Sequence, residues 1–282
     1  MRQAVIVILY VLITPLLGGL LVGVDRKLSA RMQGRFGPPV LQPFYDVMKL
    51  LQKEEIIVNN FQNFYIYNFL FFIVFTGALF FLGDDLLLVI FALTLASIFL
   101  VLAAYATNSP YSSIGAEREL LQMMAYEPMM LMVAVGMYLA TGTFMIKDIA
   151  AFEKPLILYL PGIFAGFLFI LTIKFRKSPF DLSMSHHAHQ EIVKGLTTEF
   201  TGRTLAAIEV AHWYENVYLL GFVYLFFANN PVVGVAAALL AYFAEILIDN
   251  CSARFKWQLV MKSTWFVTML VGLTNILVIY LG

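Results

Sequence analysis

Long apolar stretches separated by short polar breaks make up most of this chain and predict helices that cross a membrane. A helix needs about 20 apolar residues to span the hydrocarbon core of a bilayer. The apolar stretches lie near residues 4–23, 64–83, 85–106, 118–142, 155–174, 203–228, 231–250 and 263–281. The pattern therefore predicts an all-α, polytopic membrane protein with eight transmembrane helices, in which residues 1–282 form a single integral membrane domain.

One polar segment has a helical pattern of its own. Between residues 38 and 55, apolar side chains recur at helical spacing, with Asp46, Lys49 and Lys53 between them. This pattern predicts an amphipathic helix that lies on the membrane surface. Such a helix is either an ordinary interfacial anchor or part of a docking surface.

The composition excludes several classes of function. The chain is 61% hydrophobic and 13% charged, whereas soluble domains carry about 45–50% apolar and about 25% charged residues. A net charge of zero gives no reason to expect nucleic acid as a partner. The one cysteine, Cys251, excludes an internal disulfide and a self-contained iron–sulfur cluster, which needs about four thiolates. We therefore expect no cofactor in this chain.

Lysine and arginine residues lie mostly on one side of the predicted membrane path. Of the 18 such residues, fifteen fall in the segments that follow spans one, three, five and seven. Because short loops rich in Lys and Arg face the cytoplasm, both termini are expected outside. Two long segments on the cytoplasmic side, about 24–63 and 175–202, are predicted to dock a soluble partner.

Several carboxylates interrupt the apolar spans. Glu119 and Glu127 lie eight positions apart in span four, within about 80° of each other on a helix. In span six, Glu209, His212 and Glu215 step by three and share a face about 120° wide. These positions predict acidic groups directed into the helix bundle.

Span seven adds Glu245 and Asp249, an i,i+4 pair near its predicted cytoplasmic end. Acids at hydrocarbon depth are costly and by default mark an ion or proton route. Burial and like-charged neighbours raise carboxyl pKa values in general, which allows proton exchange at working pH. The alternative is that each acid is paired with a basic residue or faces a partner subunit.

Two histidine patterns raise the question of a metal site. Glu209-x-x-His212 fits one half of a di-iron carboxylate site, whose second half is missing. His186, His187 and His189 could hold zinc with a fourth ligand or titrate near neutral pH at an interface. We favour the interface role, and predict no metal site and no catalytic residue in this chain.

Four segments, in order, resemble one known family. They are Val24–Pro38 followed by Leu41–Leu50, Ala106 through Glu127, Ser178–Leu182 with Glu191 and Glu199, and Arg254 to Lys262. Together they resemble subunit 1 of respiratory complex I (NADH:quinone oxidoreductase), a membrane subunit shared with membrane-bound nickel–iron hydrogenases. The likeness covers nearly the whole chain.

Two departures separate the chain from the quinone-reducing members of that family. Gly37-Pro38-Pro39-Val40 directly joins two motifs that those members separate by a longer stretch. After Asp181, where those members place acids, this chain has Ser183-Met-Ser-His-His-Ala-His189. The string from Ser185 to Glu191 resembles the membrane subunit of Ech-type energy-converting nickel–iron hydrogenases.

The resemblance implies roles for individual residues. Glu127 matches a glutamate of the family's lateral water channel, and Glu191 and Glu199 match two glutamates at the mouth of that channel. The residues assigned to the subunit interface are Arg31, Arg35, Asp46, Lys49, Asp181, His186, His187 and His189. Depth and helical spacing alone assign the remaining acids to the proton path: Glu119, Glu209, Glu215, Glu245 and Asp249.

The resemblance also implies a function and partners. In Ech-type complexes, reduced ferredoxin gives electrons to protons at a nickel–iron site, and the energy released drives export of protons or sodium ions. This chain is expected in the cell membrane. Its expected partners are the soluble hydrogenase large and small subunits and an iron–sulfur subunit, which would hold the nickel–iron centre and the iron–sulfur clusters, and an antiporter-like membrane subunit. Two alternatives stay open: a quinone-linked, complex I-like subunit, and a passive membrane anchor.

Overall fold

A computed structural model of the chain describes residues 2–55, 59–183 and 194–281. The helices, in chain order, are α1 (Arg2–Met32), α2 (Gln42–Gln52), α3 (Asn60–Leu82), α4 (Leu86–Ala106), α5 (Pro110–Thr141), α6 (Ile146–Ala150), α7 (Pro161–Lys174), α8 (Gly202–Leu225), α9 (Pro231–Cys251), α10 (Trp257–Val267) and α11 (Thr274–Leu281). A π-helical segment, Thr268–Leu273, joins α10 to α11 without a break. The predicted all-α fold class is confirmed.

Within the described ranges, six helices are long and apolar enough to cross a membrane. They are Gln3–Met32, Phe61–Leu82, Leu86–Ala106, Pro110–Thr141, Pro231–Cys251 and Trp257–Leu281. The other two predicted spans also form helices, but α7 has only 14 residues, and the charged and polar residues of α8 reduce its hydropathy. The multi-pass membrane architecture is confirmed, whereas the predicted count of eight spans is not.

The chain divides into two compact units. The first unit comprises Met1–Ala78, Ala92–Leu120 and Asp181–Val217, and the second comprises Leu79–Phe91, Leu121–Phe180 and Tyr218–Gly282. Four of the five boundaries fall inside α3, α4, α5 and α8, and the fifth falls between Phe180 and Asp181, in the segment that joins α7 to α8.

In the first unit, α1 packs closely on α8 and on the segment that leads into α2. A Cβ atom at Gly18 would lie 2.4 Å from the carbonyl oxygen of Trp213, and one at Gly23 would lie 1.8 Å from that of Val40. Phe44 of α2 contacts Trp213 edge-on, with ring centroids 5.2 Å apart. Small residues on α1 thus let two other segments approach its backbone, which holds the predicted docking segment 24–63 against the membrane helices.

Helix α2 is the helix that the amphipathic pattern predicts, although it is shorter than the stretch 38–55. Pro43 lies in its first turn, where the fixed φ of proline favours a helix start. Tyr45, Met48 and Leu51 are exposed on α2. Exposed apolar side chains fit a position at the membrane surface, which stays a prediction.

In the second unit, one asparagine completes the hydrogen bonding at the start of α7. Leu160, the residue before the helix, has no side chain able to cap it. Asn275 of α11 accepts hydrogen bonds from the N–H groups of Gly162 (2.9 Å) and Ile163 (3.1 Å), and donates one to the carbonyl of Tyr159 (3.1 Å). Because unpaired backbone groups are costly in hydrocarbon, this contact fixes the short helix against α11.

The variant Asn275→Leu removes these hydrogen bonds while keeping a similar side-chain volume. We expect it to lower the free energy of unfolding by about 2–3 kcal/mol, because two N–H groups of α7 lose their acceptor. Thermal unfolding in detergent measures the change. The matched control is Asn68→Leu, since Asn68 donates to the carbonyl of Phe64 in its own helix. Equal melting temperatures for the two variants would contradict a stabilising role for Asn275.

Candidate functional site

The predicted proton-path carboxylates of the first unit lie on α5, on α8 and in the loop before α8. Glu119 is 5% exposed and Glu215 is 2% exposed, so both are buried. Glu209 and Glu199 are half-buried. Two carboxylates are thus removed from bulk water in this unit, where a bare charge is unfavourable.

Contacts with α1 and α3 fix the orientation of α8. The Tyr214 hydroxyl donates a hydrogen bond to the carbonyl oxygen of Val11 at 2.6 Å. The half-buried His212 contacts the ring of Phe69 edge-on, with ring centroids 5.9 Å apart. Because residues 212 and 214 are held in this way, α8 cannot rotate freely about its axis, and Glu215 keeps its buried position.

The predicted docking segment 175–202 is connected to α5 in the first unit. The Arg118 guanidinium donates a hydrogen bond to the carbonyl oxygen of Leu182 at 3.2 Å. Asp181, which precedes Leu182, is only 6% exposed. The next residue on α5 is the buried Glu119. This hydrogen bond therefore joins the docking segment to the residue that precedes a buried carboxylate.

A second contact joins Ser183 to Leu196. The N–H of Leu196 donates a hydrogen bond to the carbonyl of Ser183 at 3.0 Å, and a Cβ at Gly115 would lie 2.3 Å from the nitrogen of Leu196. The predicted site residues between these two points of the chain lie outside the described residues, so their roles stay predictions: His186, His187, His189 and Glu191.

In the second unit, Asp249 of α9 binds the turn that follows α7. Its carboxylate forms an ion pair with Lys177 at 3.3 Å and accepts a hydrogen bond from the N–H of Ser178 at 2.9 Å. The Lys177 and Asp249 side chains are 11% and 21% exposed, so water screens this pair less than an ordinary surface pair. For Asp249, therefore, the structure supplies the basic partner that the sequence left open.

Two carboxyl oxygens of the second unit have no hydrogen-bond partner among the described residues. They are Oε2 of Glu245, which is 2% exposed and lies one turn before Asp249, and Oε1 of Glu127. Pro128 follows Glu127 and lacks an N–H, so a carbonyl of α5 loses its usual helical donor there. A buried carboxyl oxygen without a hydrogen-bond partner is costly to remove from water.

The structure adds one buried cation, which the charge pattern does not distinguish from the exposed ones. The pattern counts Lys174 with the cytoplasmic cations, and the structure shows that this residue is only 5% exposed. Its Nζ lies 4.3 Å from the ring centroid of Tyr126, the residue before Glu127. A cation–π contact stabilises a desolvated ammonium. The available signal was that Lys174 follows the apolar residues of α7 with no polar break.

The first docking segment carries charged side chains around α2. Arg26 Nη1 lies 2.6 Å from Asp46, and Gln42 donates a hydrogen bond to the same carboxylate at 2.9 Å. Partial burial raises the pKa of Asp46, but the hydrogen bonds from Gln42 and Arg26 and the charges of Arg26 and Lys49 outweigh it, so the pKa lies below its ordinary value. The exposed predicted interface residues are Arg31, Arg35 and Lys49.

The acids and histidines of the described segments do not cluster as metal ligands. Residues 2–55, 59–183 and 194–281 contain no group of three or more His, Cys, Asp or Glu side chains placed to hold a metal ion. In the described part of the chain, therefore, no third potential metal ligand joins Glu209 and His212.

Comparison with known proteins places the chain in a family. A family model described as NADH dehydrogenase matches residues 4–280. The chain belongs to the NADH dehydrogenase family. The chain is similar to hydrogenase-4 component C of Escherichia coli K12 (27% identical, covering 94% of this chain and 90% of that protein) and to a subunit of the F(420)H(2) dehydrogenase of Methanosarcina mazei (30% identical, covering 78% and 74%).

Another similar member of the NADH dehydrogenase family is NADH-quinone oxidoreductase subunit 8 of Rhodothermus marinus, 29% identical over 95% of this chain and 93% of that protein. The fold matches a chain in the structure of the membrane-bound sulfane sulfur reductase, an archaeal respiratory membrane complex. That match has a TM-score of 0.86 and 23% identity, and covers 99% of this chain and 100% of that chain. Hydrogenase and quinone-linked relatives are similarly distant, so identity alone does not separate them.

Replacing Asp249 distinguishes its two contacts. Asp249→Asn removes the ion pair with Lys177 but keeps an acceptor for the N–H of Ser178, whereas Asp249→Leu removes both. We expect amide hydrogen exchange of residues 175–180, followed by mass spectrometry, to rise about tenfold more in the Leu variant, which corresponds to about 1.4 kcal/mol. Asp148→Leu, at an exposed acid of the same unit, serves as the control. Unchanged exchange in both Asp249 variants would contradict this role.

The Asp46 contacts predict a pH dependence. A carboxyl with a lowered pKa stabilises the folded state above its unfolded pKa, and this contribution is lost as the pH falls through the folded pKa. We expect Asp46→Asn to lower stability by less than about 1 kcal/mol, since the pair is partly exposed. The difference from wild type should be constant above about pH 5 and should shrink below about pH 4. Tryptophan-fluorescence melting at several pH values measures it; a difference that grows on acidification would contradict it.

Proposed function

We propose that this chain is the membrane subunit of an energy-converting nickel–iron hydrogenase, in which it anchors the soluble redox subunits and couples electron transfer from ferredoxin to the export of protons or sodium ions. One observation carries the coupling role. In a member of the NADH dehydrogenase family, three predicted path carboxylates, Glu119, Glu215 and Glu245, are at most 5% exposed within helices.

The choice of hydrogenase over quinone reductase has support from the sequence. The short Gly37–Val40 connection and the serine and histidine residues after Asp181 differ from the quinone-reducing pattern. Because hydrogenase-4 component C and the quinone-linked relatives are similarly distant, the choice rests on these sequence features. The proposed complex also contains the hydrogenase large and small subunits, an iron–sulfur subunit and an antiporter-like membrane subunit, and these partners hold its metal centres.

The membrane path of the proposal has eight crossings. Helices α7 and α8 cross together with the six longer apolar helices, and the basic segments 24–63 and 175–202 face the cytoplasm. In this arrangement protein, and not lipid, covers the polar face of α8. Helix α8 can therefore cross the membrane although its hydropathy is low. Both termini then lie outside.

Coupling begins at the docking segment 175–202. A change of charge in the docked redox subunits acts on residues of this segment, including Asp181. Within the first unit, the hydrogen bond from Arg118 to Leu182 connects the segment to the position next to Glu119. Within the second unit, the Lys177–Asp249 pair connects it to the turn of α9 that carries Glu245. Each route biases the protonation of a buried acid.

Two other functions make different predictions from the same fold. A passive anchor needs the docking segments but has no use for buried carboxylates. A quinone-linked subunit would be inhibited by quinone analogues and would retain quinone on purification. A large subunit with nickel-ligating cysteines in the purified complex would favour the hydrogenase.

The coupling role is tested with Glu127→Gln and Glu215→Gln in the assembled complex, reconstituted into vesicles. We expect hydrogen evolution from reduced ferredoxin to continue while the number of ions exported per electron falls at least fivefold, because glutamine cannot exchange a proton. Glu117→Gln is the matched control, since Glu117 lies on α5 but is exposed.

Wild-type ion export per electron in both variants would contradict the coupling role and favour the anchor. Size-exclusion chromatography detects loss of assembly in the variants. If fewer complexes assemble but those that do export ions at the wild-type number per electron, the result also contradicts the coupling role and favours the anchor.

A further inference from the structure

A basic depression lies in the second unit, where α10 begins. It has a volume of about 410 Å³ and is lined by Arg254, Phe255, Lys256, Gln258, Leu259 and Lys262. Lys256 and Lys262 are exposed. None of the functions proposed above uses this depression.

The charge around the depression has one sign. Residues 250–282 contain three cations, Arg254, Lys256 and Lys262, and no Asp or Glu. The nearest acid before them in the chain, Asp249, already binds Lys177 and the N–H of Ser178. The exposed lysines therefore present a positive surface to an external anion.

One residue that lines the depression, Phe255, is held in place. The N–H of Phe255 donates a hydrogen bond to the carbonyl of Pro179 at 3.0 Å, and its ring lies 5.9 Å from that of Phe180. The segment before α10 is thus fixed by the turn that follows α7. A ligand bound there does not have to order a free loop, which favours binding.

The depression lies at the end of a membrane span, where the headgroup layer of a bilayer is expected. Trp257–Leu281 is a candidate membrane span, so the depression lies at the end of a span. From position 256 to position 262 a helix rises about 9 Å, slightly more than the thickness of the polar layer of one leaflet, which is about 5–8 Å. Trp257 and Trp265 are 45% and 42% exposed, and such tryptophans are typical of this layer.

An apolar surface continues from the depression along the helix. Leu259 in the depression is 46% exposed, and further along α10 and the π-helical segment Phe266 and Leu270 are 64% and 54% exposed. These positions are seven and four residues apart, so they follow one side of the helix. A ligand with an anionic head and long apolar chains fits both parts of this surface.

We propose that the depression at residues 254–262 binds the phosphate headgroup of an anionic phospholipid, with Lys256 and Lys262 contacting the phosphate. The acyl chains lie along Leu259, Phe266 and Leu270. A free phosphate ion would use the lysines but not the apolar surface, and an acidic protein segment would leave that surface uncovered.

The test uses the purified complex, stripped of loosely bound lipid in detergent and titrated with phosphatidylglycerol while bound lipid is counted by native mass spectrometry. A lysine near a charged lipid surface contributes about fivefold to affinity. We therefore expect Lys256→Gln/Lys262→Gln to retain one phosphatidylglycerol fewer and to bind it roughly 25-fold more weakly. Both lysines are exposed, so the variant should fold normally, and unchanged hydrogen evolution confirms assembly.

Three controls decide between the possible occupants. Lys147→Gln/Lys154→Gln removes two exposed lysines elsewhere in the second unit and should bind phosphatidylglycerol like the wild type. Phosphatidylcholine should bind equally to all variants, and inorganic phosphate at 100-fold excess over the lipid should not displace phosphatidylglycerol, roughly as expected for a ligand with two anchoring parts. Equal phosphatidylglycerol binding by the double variant would overturn the proposal. So would full displacement by phosphate, or a carbodiimide cross-link from Lys256 or Lys262 to a partner subunit's carboxylate.

Discussion

The cost of placing a charge away from water constrains this structure more than any other interaction. Helices α5, α8 and α9 each bury a carboxylate, and α7 buries the ammonium of Lys174. A charged group persists in such surroundings only if it is paired, hydrogen-bonded or neutralised. Asp249 is paired with Lys177, and Lys174 lies over an aromatic ring. Among the buried acids, Glu245 has one carboxyl oxygen, Oε2, without a hydrogen-bond partner among the described residues.

The same constraint applies to the backbone. A short helix inside a membrane protein must have its terminal N–H groups paired, and α7 obtains this pairing from Asn275, more than a hundred residues later in the chain. Two hydrogen bonds fix the turn after α7: one from the N–H of Ser178 to Asp249, and one from the N–H of Phe255 to the carbonyl of Pro179. The segment between α7 and α8, where a soluble partner is proposed to dock, therefore starts from a rigid base.

Hydrophobicity along the sequence predicts where the helices form, because a run of apolar residues long enough to span a bilayer has few other stable conformations. Hydrophobicity does not predict how many of these helices cross the membrane. Helix α7 is short, and the polar side chains of Glu209, His212 and Glu215 lower the hydropathy of α8. The contacts of Lys174 and Asn275 were also missed, because each depends on a residue distant in sequence: Tyr126 in one case and Tyr159–Ile163 in the other. Motif resemblance identified the family, which the family match confirms, but not the redox partner.

Infrared difference spectroscopy of the assembled complex, recorded between its oxidised and reduced states, tests the coupling claim most directly. If buried carboxylates exchange protons in step with the redox centres, reduction should change the absorption of protonated carboxyl groups. The signal should weaken in Glu215→Gln and in Glu245→Gln, and should shift in heavy water. Spectra with no carboxyl signal on reduction, or with a signal that both variants leave intact, would contradict a proton-exchanging role for these residues.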